Sequence, residues 1–384
     1  MPAFVNAHAH LEYAVYAGFG DGLSFGPWIS LHVSRKQRLE RTHMEAIARL
    51  GAAECLRSGI GTVGDLAFSG ASAHACAELG LRAIVYLEVF GHEGEDALSQ
   101  FEEKRGYVAS ALSERVRLGV SPHAPYTCST EVYAACLGLG LPLATHLNES
   151  GDELDWLLHG EGPWQEVSEL LVEPDGRSGI RRLAAAGQLD ERVVAAHCVK
   201  VDAEEIALLA EHGVAVAHCP RSNALLGCGT APLGALGAAG LRVGVGTDGV
   251  SSVPSHDFFD ELRAVVSFAR AREEDAGTVG ATEALELGTL GGAKALGLES
   301  ETGSLVPGKR ADLAVVSLSG SPYLPWEDPA AAVVYGGGPD RILATLVDGE
   351  VRYERGRSEW HELIDAASGA RARMLSRPPA SARR

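Results

Sequence analysis

Eight short apolar runs, each carrying polar residues toward its C-terminal end, constrain this chain more than any other feature. They read PAFVNAHAH (2–10), GIGTVGDLAF (59–68), LRAIVYLEVF (81–90), VRLGVSPHAP (116–125), LPLATHLNES (141–150), RVVAAHCV (192–199), GVAVAHCP (213–220) and LRVGVGTDG (241–249). Between them lie segments such as TEVYAACLGLG and AEEIALLAEHG, with apolar residues at helical spacing. Continuous apolar strands alternating with helices predict a parallel sheet buried on both faces. Eight such units over about 300 residues fit a closed (β/α)8 barrel of the TIM type better than an open sheet. In such a barrel the chemistry sits at the C-terminal ends of the strands, where the polar residues of these runs fall.

From about residue 301 the pattern changes. ETGSLVPGKRADLAVVSL and RILATLVDGEVRYERG alternate and are bounded by turn residues, which predicts a small appended β-sheet formed largely by the C-terminal region. WHELIDAASGARARMLSRPPASARR reads as a helix passing into a basic, proline-bearing, frayed tail. The expected organisation is a barrel over 1–300, a small β domain over 301–356, and a C-terminal helix and tail over 357–384.

Composition removes several classes of function. The net charge is −18, from 51 acidic against 33 basic residues, so the chain would repel nucleic acid and anionic membranes. It has no apolar stretch of the ~18 residues a membrane helix needs, and its first residues lack a basic start and an apolar core. A soluble, cytoplasmic protein is expected. The seven cysteines are scattered with no C-x2-C pair, so neither a zinc ribbon nor a disulfide framework is indicated.

The polar strand ends form a coherent set. In NAHAH, His8 and His10 are two apart and project from the same face of a strand, as two ligands of one metal must. Taken alone they could be unrelated histidines. However, His146 opens HLNE at the end of the fifth run, with Glu149 three residues on; His197 ends the sixth and Asp248 the eighth. Imidazole and carboxylate suit zinc or a similar divalent ion, and three histidines with one aspartate leave a position open for water. Such an ion lowers the pKa of water toward neutrality. Glu149 is spaced for proton transfer, or alternatively is a charge at a helix start; His197 is a further site residue or a core histidine.

These segments resemble the amidohydrolase superfamily, in the branch of cytosine, guanine and S-adenosylhomocysteine deaminases and chlorotriazine hydrolases. The resemblance is carried by NAHAHLE, SPHAPYTCS, THLNES, AHC, HCPRSN and GTDGVSS in that order, and by the C-terminal GSLVPGKRADLAVV. It implies a single divalent metal, Zn2+ first and Fe2+ or Mn2+ compatible, held by His8, His10, His146 and Asp248. It further implies that Glu149 moves a proton to a ring nitrogen of the substrate. His197 would hydrogen-bond the attacking oxygen or a substrate carbonyl, and Asp248 would also relay a proton to the leaving group. His123 matches a substrate contact, with packing as the alternative, and His218 is open between the two. Arg221, Ser222 and Asn223 either line the pocket or cap a turn; Trp28 is a pocket wall or a packing residue.

Absences sharpen the expectation. The fourth run has no lysine of the kind that bridges two metals in binuclear members, so one metal is expected. The cytidine-deaminase H-x-E…P-C-x-x-C signature and the G-x-S-x-G elbow are missing. Gly244–Gly249 satisfies G-x-G-x-x-G, but its aspartate would oppose a pyrophosphate and it ends the eighth strand, so it reads as a decoy. Members of the branch usually carry a longer segment before the HxH strand. Here either the start lies upstream or the small sheet is reduced, leaving RILATLVDGEVRY with an uncovered edge.

The loop segments, THLNESGDELDWLLHGEGPW above all, are most similar to 6-aminodeoxyfutalosine deaminases of menaquinone biosynthesis, which implies an adenine nucleoside losing its 6-amino group. Arg35 or Arg221 would then pair with a substrate carboxylate. The rivals are deamination of S-adenosylhomocysteine, adenosine or guanine, hydrolysis of a triazine, and a non-catalytic barrel. The expected partner is a small-molecule substrate, with no nucleic acid and no membrane, in a possible homodimer.

Overall fold

The computed structural model describes residues 1–164, 167–321, 327–358 and 360–376. All eight runs form strands. They are β1 (Phe4–His10), β2 (Ile60–Ala67), β3 (Arg82–Val89), β4 (Val116–Pro122), β5 (Leu143–Leu147), β6 (Val193–His197), β7 (Ala215–His218) and β8 (Arg242–Val245), followed by the two-residue β9 (Asp248–Gly249). Each pairs in parallel with the next, and β9 pairs with β1 through Ala9–Asp248 and His10–Gly249. β8 and β9 are one strand broken at Gly246-Thr247, and the break lets it pair with β7 on one side and close onto β1 on the other. Asn6 clasps the closure: its amide donates to Thr247 Oγ1 at 2.7 Å and its carbonyl accepts the Thr247 N–H at 3.0 Å.

Alternation along the strands fills two layers. Val5, Ala7, Leu66, Ile84, Tyr86, Ala144, Val194, Ala215 and Ala217 pack with one another inside the barrel, joined by Ala293, Ala295, Leu296 and Leu298. The residues that alternate with them, such as Val63, Val85 and Val216, pack in a second, larger cluster with residues of the surrounding helices. The helices Thr130–Gly138 and Ala203–Glu211 occupy the two segments read as helical, each capped by the preceding side chain, Ser129 and Asp202. Such burial of apolar surface, at about 25 cal/mol per Å2, is what drives closure of the ring.

The C-terminal region forms an antiparallel sheet of β10 (Leu313–Val316), β11 (Ile342–Val347) and β12 (Glu350–Glu354), with β11 in the middle. Only Leu313–Val316 of the segment 301–318 is strand; residues 301–312 are turns and loop. β11 and β12 meet at Asp348-Gly349, both left-handed (φ 55° and 78°), as a two-residue hairpin turn requires. The uncovered edge falls on β12 alone, where Glu350, Arg352 and Glu354 place charge along it. The sheet sits at the N-terminal ends of the barrel strands, away from the polar strand ends. Buried Arg82 at the start of β3 pairs with Asp312 at 2.8 Å and with Asp348, and Thr345 Oγ1 donates to Leu56 O at 2.7 Å. The helix His361–Leu375 packs on Arg41–Arg57; the tail expected to fray lies, from residue 377, outside the described residues. All seven cysteines are unpaired thiols, and no helix among the described residues is long and apolar enough to cross a membrane.

Candidate active site and metal centre

The C-terminal strand ends converge on one cavity of about 750 Å3. His8 and His10 enter from β1, Glu88 from β3, His123 from the loop after β4, His146 from β5, His197 from β6 and Asp248 from β9. His10, Glu88, His123, His146, Glu149, His197 and Asp248 all line it. Four of the residues at these ends have left-handed backbone: Asn148 (φ 50°), His197 (74°), Cys198 (46°) and Asp248 (61°). Non-glycine residues held there carry strain of roughly 1–3 kcal/mol each, and such strain concentrates at functional sites.

His8, His10, His146 and Asp248 point at one another. His8 Nε2 and His10 Nε2 lie 3.3 and 3.4 Å from Asp248 Oδ1, and His10 Nε2 lies 3.1 Å from His146 Nε2. The outer nitrogens of the last pair are committed: His10 Nδ1–H donates to Leu66 O at 2.9 Å and His146 Nδ1–H to His123 O at 2.8 Å. Both Nε2 atoms therefore present lone pairs to each other, an arrangement that repels unless a cation lies among them. His8 Nε2 is buried without a hydrogen-bond partner. The donor set of three imidazoles and one carboxylate oxygen thus fits a single divalent ion. Burial lowers the pKa of His8 and, more strongly, of His146, which keeps both imidazoles neutral as ligands must be.

Two carboxyl groups beside this centre are driven apart. Burial, reinforced by the Asp248 and Glu153 carboxylates, pushes Glu149 well above its ordinary range. Burial works to raise Asp248 as well, but His8, His197 and His10 around it hold it well below the usual carboxylate range. Asp248 Oδ2 also accepts the hydroxyls of Ser222 at 2.6 Å and Ser252 at 2.8 Å. Pushing two neighbouring carboxyl groups in opposite directions is how one site comes to hold both a proton donor and an acceptor.

Glu149 is aimed by its neighbours. Ser150 caps the helix Gly151–His159 by accepting the Glu153 N–H at 3.0 Å. Glu153 reaches back, accepting the N–H of Glu149 at 2.7 Å and of Asn148 at 3.0 Å. Capping is done by Ser150 and Glu153, which leaves the Glu149 carboxyl to the cavity, 3.6 Å from His197 Nε2.

The remaining expectations divide. His123 lines the cavity, with Nδ1 bonded to Thr127 Oγ1 at 2.7 Å and burial lowering its pKa to about 4. Trp28, on the helix Phe25–Lys36, is both wall and packing: it faces the cavity, donates to Ser251 O at 3.2 Å and packs on Phe25. Asn223 is elsewhere. It is fully buried behind His197, whose Nδ1–H it accepts at 2.9 Å, so it orients that ring instead of meeting substrate. Arg221 also faces away, tied to buried Glu261 and to Ser255 O at 2.9 Å. Arg35 is bonded to Met374 O at 3.3 Å, on the C-terminal helix. His218 points away from the cavity with both ring nitrogens buried and unpartnered. Sequence reading missed Glu88: it is 1% exposed, it lines the cavity, and its Oε2 has no hydrogen-bond partner. Its signal was present, a lone acid near the end of the third run, two residues beyond Tyr86 and on the same face.

A model of the amidohydrolase family matches residues 1–352. The 5-methylthioadenosine/S-adenosylhomocysteine deaminase of Symbiobacterium thermophilum is 35% identical over 366 residues, which covers 92% of this chain and 81% of the relative. The 5′-deoxyadenosine deaminase of Methanothermobacter thermautotrophicus is 30% identical over 385 residues, covering 97% and 87%. A zinc-bound adenosine deaminase from Xanthomonas campestris superposes with a TM-score of 0.86 at 27% identity, over 97% of this chain and 85% of that one.

Proposed function

The chain belongs to the amidohydrolase family, and from that premise and the site geometry we propose that it is a mononuclear, metal-dependent deaminase of adenine nucleosides. It is a hydrolase acting on C–N bonds. The observation that carries the proposal is the placement of Glu149. It stands three residues after His146, stapled by Glu153, and faces the same cavity as the converging ligand atoms.

His8, His10, His146 and Asp248 would hold the ion, zinc by preference. When bound, the ion supplies Lewis-acid activation of water. The purine lies along the apolar wall of Phe25, Trp28 and Tyr126, with its 6-amino carbon toward Glu149. Water oxygen adds to C6 while Glu149 delivers a proton to N1, and His197 hydrogen-bonds the entering oxygen through Nε2. Asp248 accepts one proton of that water and passes it to the amino nitrogen; the C6–N bond breaks, ammonia leaves, and the proton remaining on the oxygen returns to Glu149 as the C6 carbonyl forms. Glu88 Oε2 accepts a hydroxyl of the sugar.

The 5′ substituent is a separate matter. The loop segments resemble those of 6-aminodeoxyfutalosine deaminases, and the relatives are named for methylthioadenosine, S-adenosylhomocysteine and 5′-deoxyadenosine. These molecules share the adenine amino group. Ammonia release by zinc-loaded protein, with these four, adenosine and guanine side by side, tests the proposal. Adenine nucleosides should be turned over and guanine should not. Glu149→Gln should cost about 10²–10⁴-fold in kcat while keeping its metal; metal lost with the substitution would make Glu149 a ligand, and ammonia from guanine alone would overturn the assignment.

A further inference from the structure

A nucleoside with its amino group at Glu149 and its base along the aromatic wall must direct its 5′ end toward the cavity mouth. Charge there is of one sign. Glu93, Asp96 and Glu169 line the mouth and are exposed, and deeper in lies buried Glu88 with its unpartnered oxygen. Among the described lining residues Lys36 is the one lysine, and there is no arginine. Its ammonium is already engaged: it bonds Tyr13 OH at 3.2 Å and sits 3.6 Å from the centre of the Phe68 ring. Arg35 and Arg221, the two arginines expected to meet a carboxylate, are bound to other elements.

We propose that the cavity selects adenine nucleosides whose 5′ substituent is uncharged or cationic, and disfavours those ending in a carboxylate. The proposal rests on the deaminase assignment above. A carboxylate tail would bring a fifth like charge to Glu88, Glu93, Asp96 and Glu169, set against the single ammonium of Lys36. An amine tail would meet the same groups favourably. Each exposed carboxylate shifts the affinity of a nearby charge by roughly 2- to 5-fold, so the three at the mouth give about tenfold discrimination or more between opposite tail charges.

The test uses zinc-loaded protein and three adenine nucleosides with 5′-alkylthio tails of equal length, ending in a carboxylate, a methyl or an amine. Their kcat/KM values should rise in that order by about tenfold from first to last at low ionic strength, and the spread should shrink in about 0.5 M salt. The triple variant Glu93→Gln, Asp96→Asn, Glu169→Gln should draw the three values together. A carboxylate tail equal to or ahead of the others would sink the inference while leaving the deaminase assignment intact. So would a carboxylate preference lost in Lys36→Met, which would make Lys36 an anion anchor. Ammonia from none of the three would bring down the deaminase assignment and this inference with it.

Discussion

Glu153→Gln isolates what aims Glu149, the proposed proton-transfer residue, without touching the cavity. The carboxylate of Glu153 is fully buried and accepts two backbone N–H groups, at 2.7 and 3.0 Å. Burial raises its pKa to about 7, so at pH 8 it is ionised. The amide keeps one acceptor and turns an NH2 group toward the other N–H, which loses a charge-assisted bond and strands a buried donor. That costs about 2–3 kcal/mol, or roughly 3–4 °C in Tm for a chain of this length. The peptide that shifts is the one carrying Glu149, and a displacement of about 1 Å at a reacting group can cost 10²-fold in rate. At pH 8 the variant should therefore keep stoichiometric metal and fall by about 10–100-fold in kcat. A kcat within about twofold of wild type, together with the expected loss in Tm, would refute the aiming role and leave Glu153 as a helix cap.

Asn223→Ala removes the acceptor that holds His197 Nδ1–H. It should lower kcat by about tenfold with metal content unchanged, as one buried hydrogen bond is worth about 1.4 kcal/mol; elemental analysis beside steady-state kinetics checks this. Asp248→Asn should weaken metal affinity by more than the ~10–100-fold that loss of an outer hydrogen bond costs, and abolish turnover, seen in a chelator competition. Burial lowers the Lys36 ammonium to about 8 from 10.5. Its charge thus opposes folding fully below pH 8, and the penalty fades as pH rises toward 10.5. Lys36→Met should therefore raise Tm more at pH 7 than at pH 10 in a pH series of melting curves.

The strands were legible because each is a local signal, an apolar run of strand length with its polar residues at one end. His8, His10, His146, Glu149 and Asp248 were legible for the same reason, since a strand end in a barrel is a position on a known face. Asn223, Arg221 and Arg35 were not. Each lies in a helix or turn beyond a strand, and whether it meets the cavity depends on what packs behind it. Asn223 belongs to the short helix Pro220–Leu225 and finds His197 across 26 residues; Arg221 finds Glu261 across 40. Such long-range partners follow from closure of the ring and cannot be read from spacing. Glu88 is the instructive case. The strand-end rule that located the other residues applied equally to LRAIVYLEVF, but a single acid without a motif drew no attention.

The segment Gly244–Gly249 shows how one stretch can carry a misleading pattern for a sound physical reason. Its glycines serve packing: a Cβ on Gly244 would lie 2.7 Å from Gly292 Cα, and one on Gly246 would lie 2.8 Å from His8 Cβ. Both therefore admit elements that must approach the strand closely, the helix Gly292–Ala295 on one side and β1 on the other. The break after Gly246 then lets Thr247 bond Asn6, and the left-handed turn at Asp248 directs its carboxylate to within 3.3 Å of His8 Nε2. Asn6, His8 and His10 lie within five residues of one another, so the clasp that closes the barrel and two of the four proposed metal ligands share one strand. A substitution that opens the Asn6–Thr247 clasp therefore loosens Asp248 as well, and metal affinity should fall together with barrel stability.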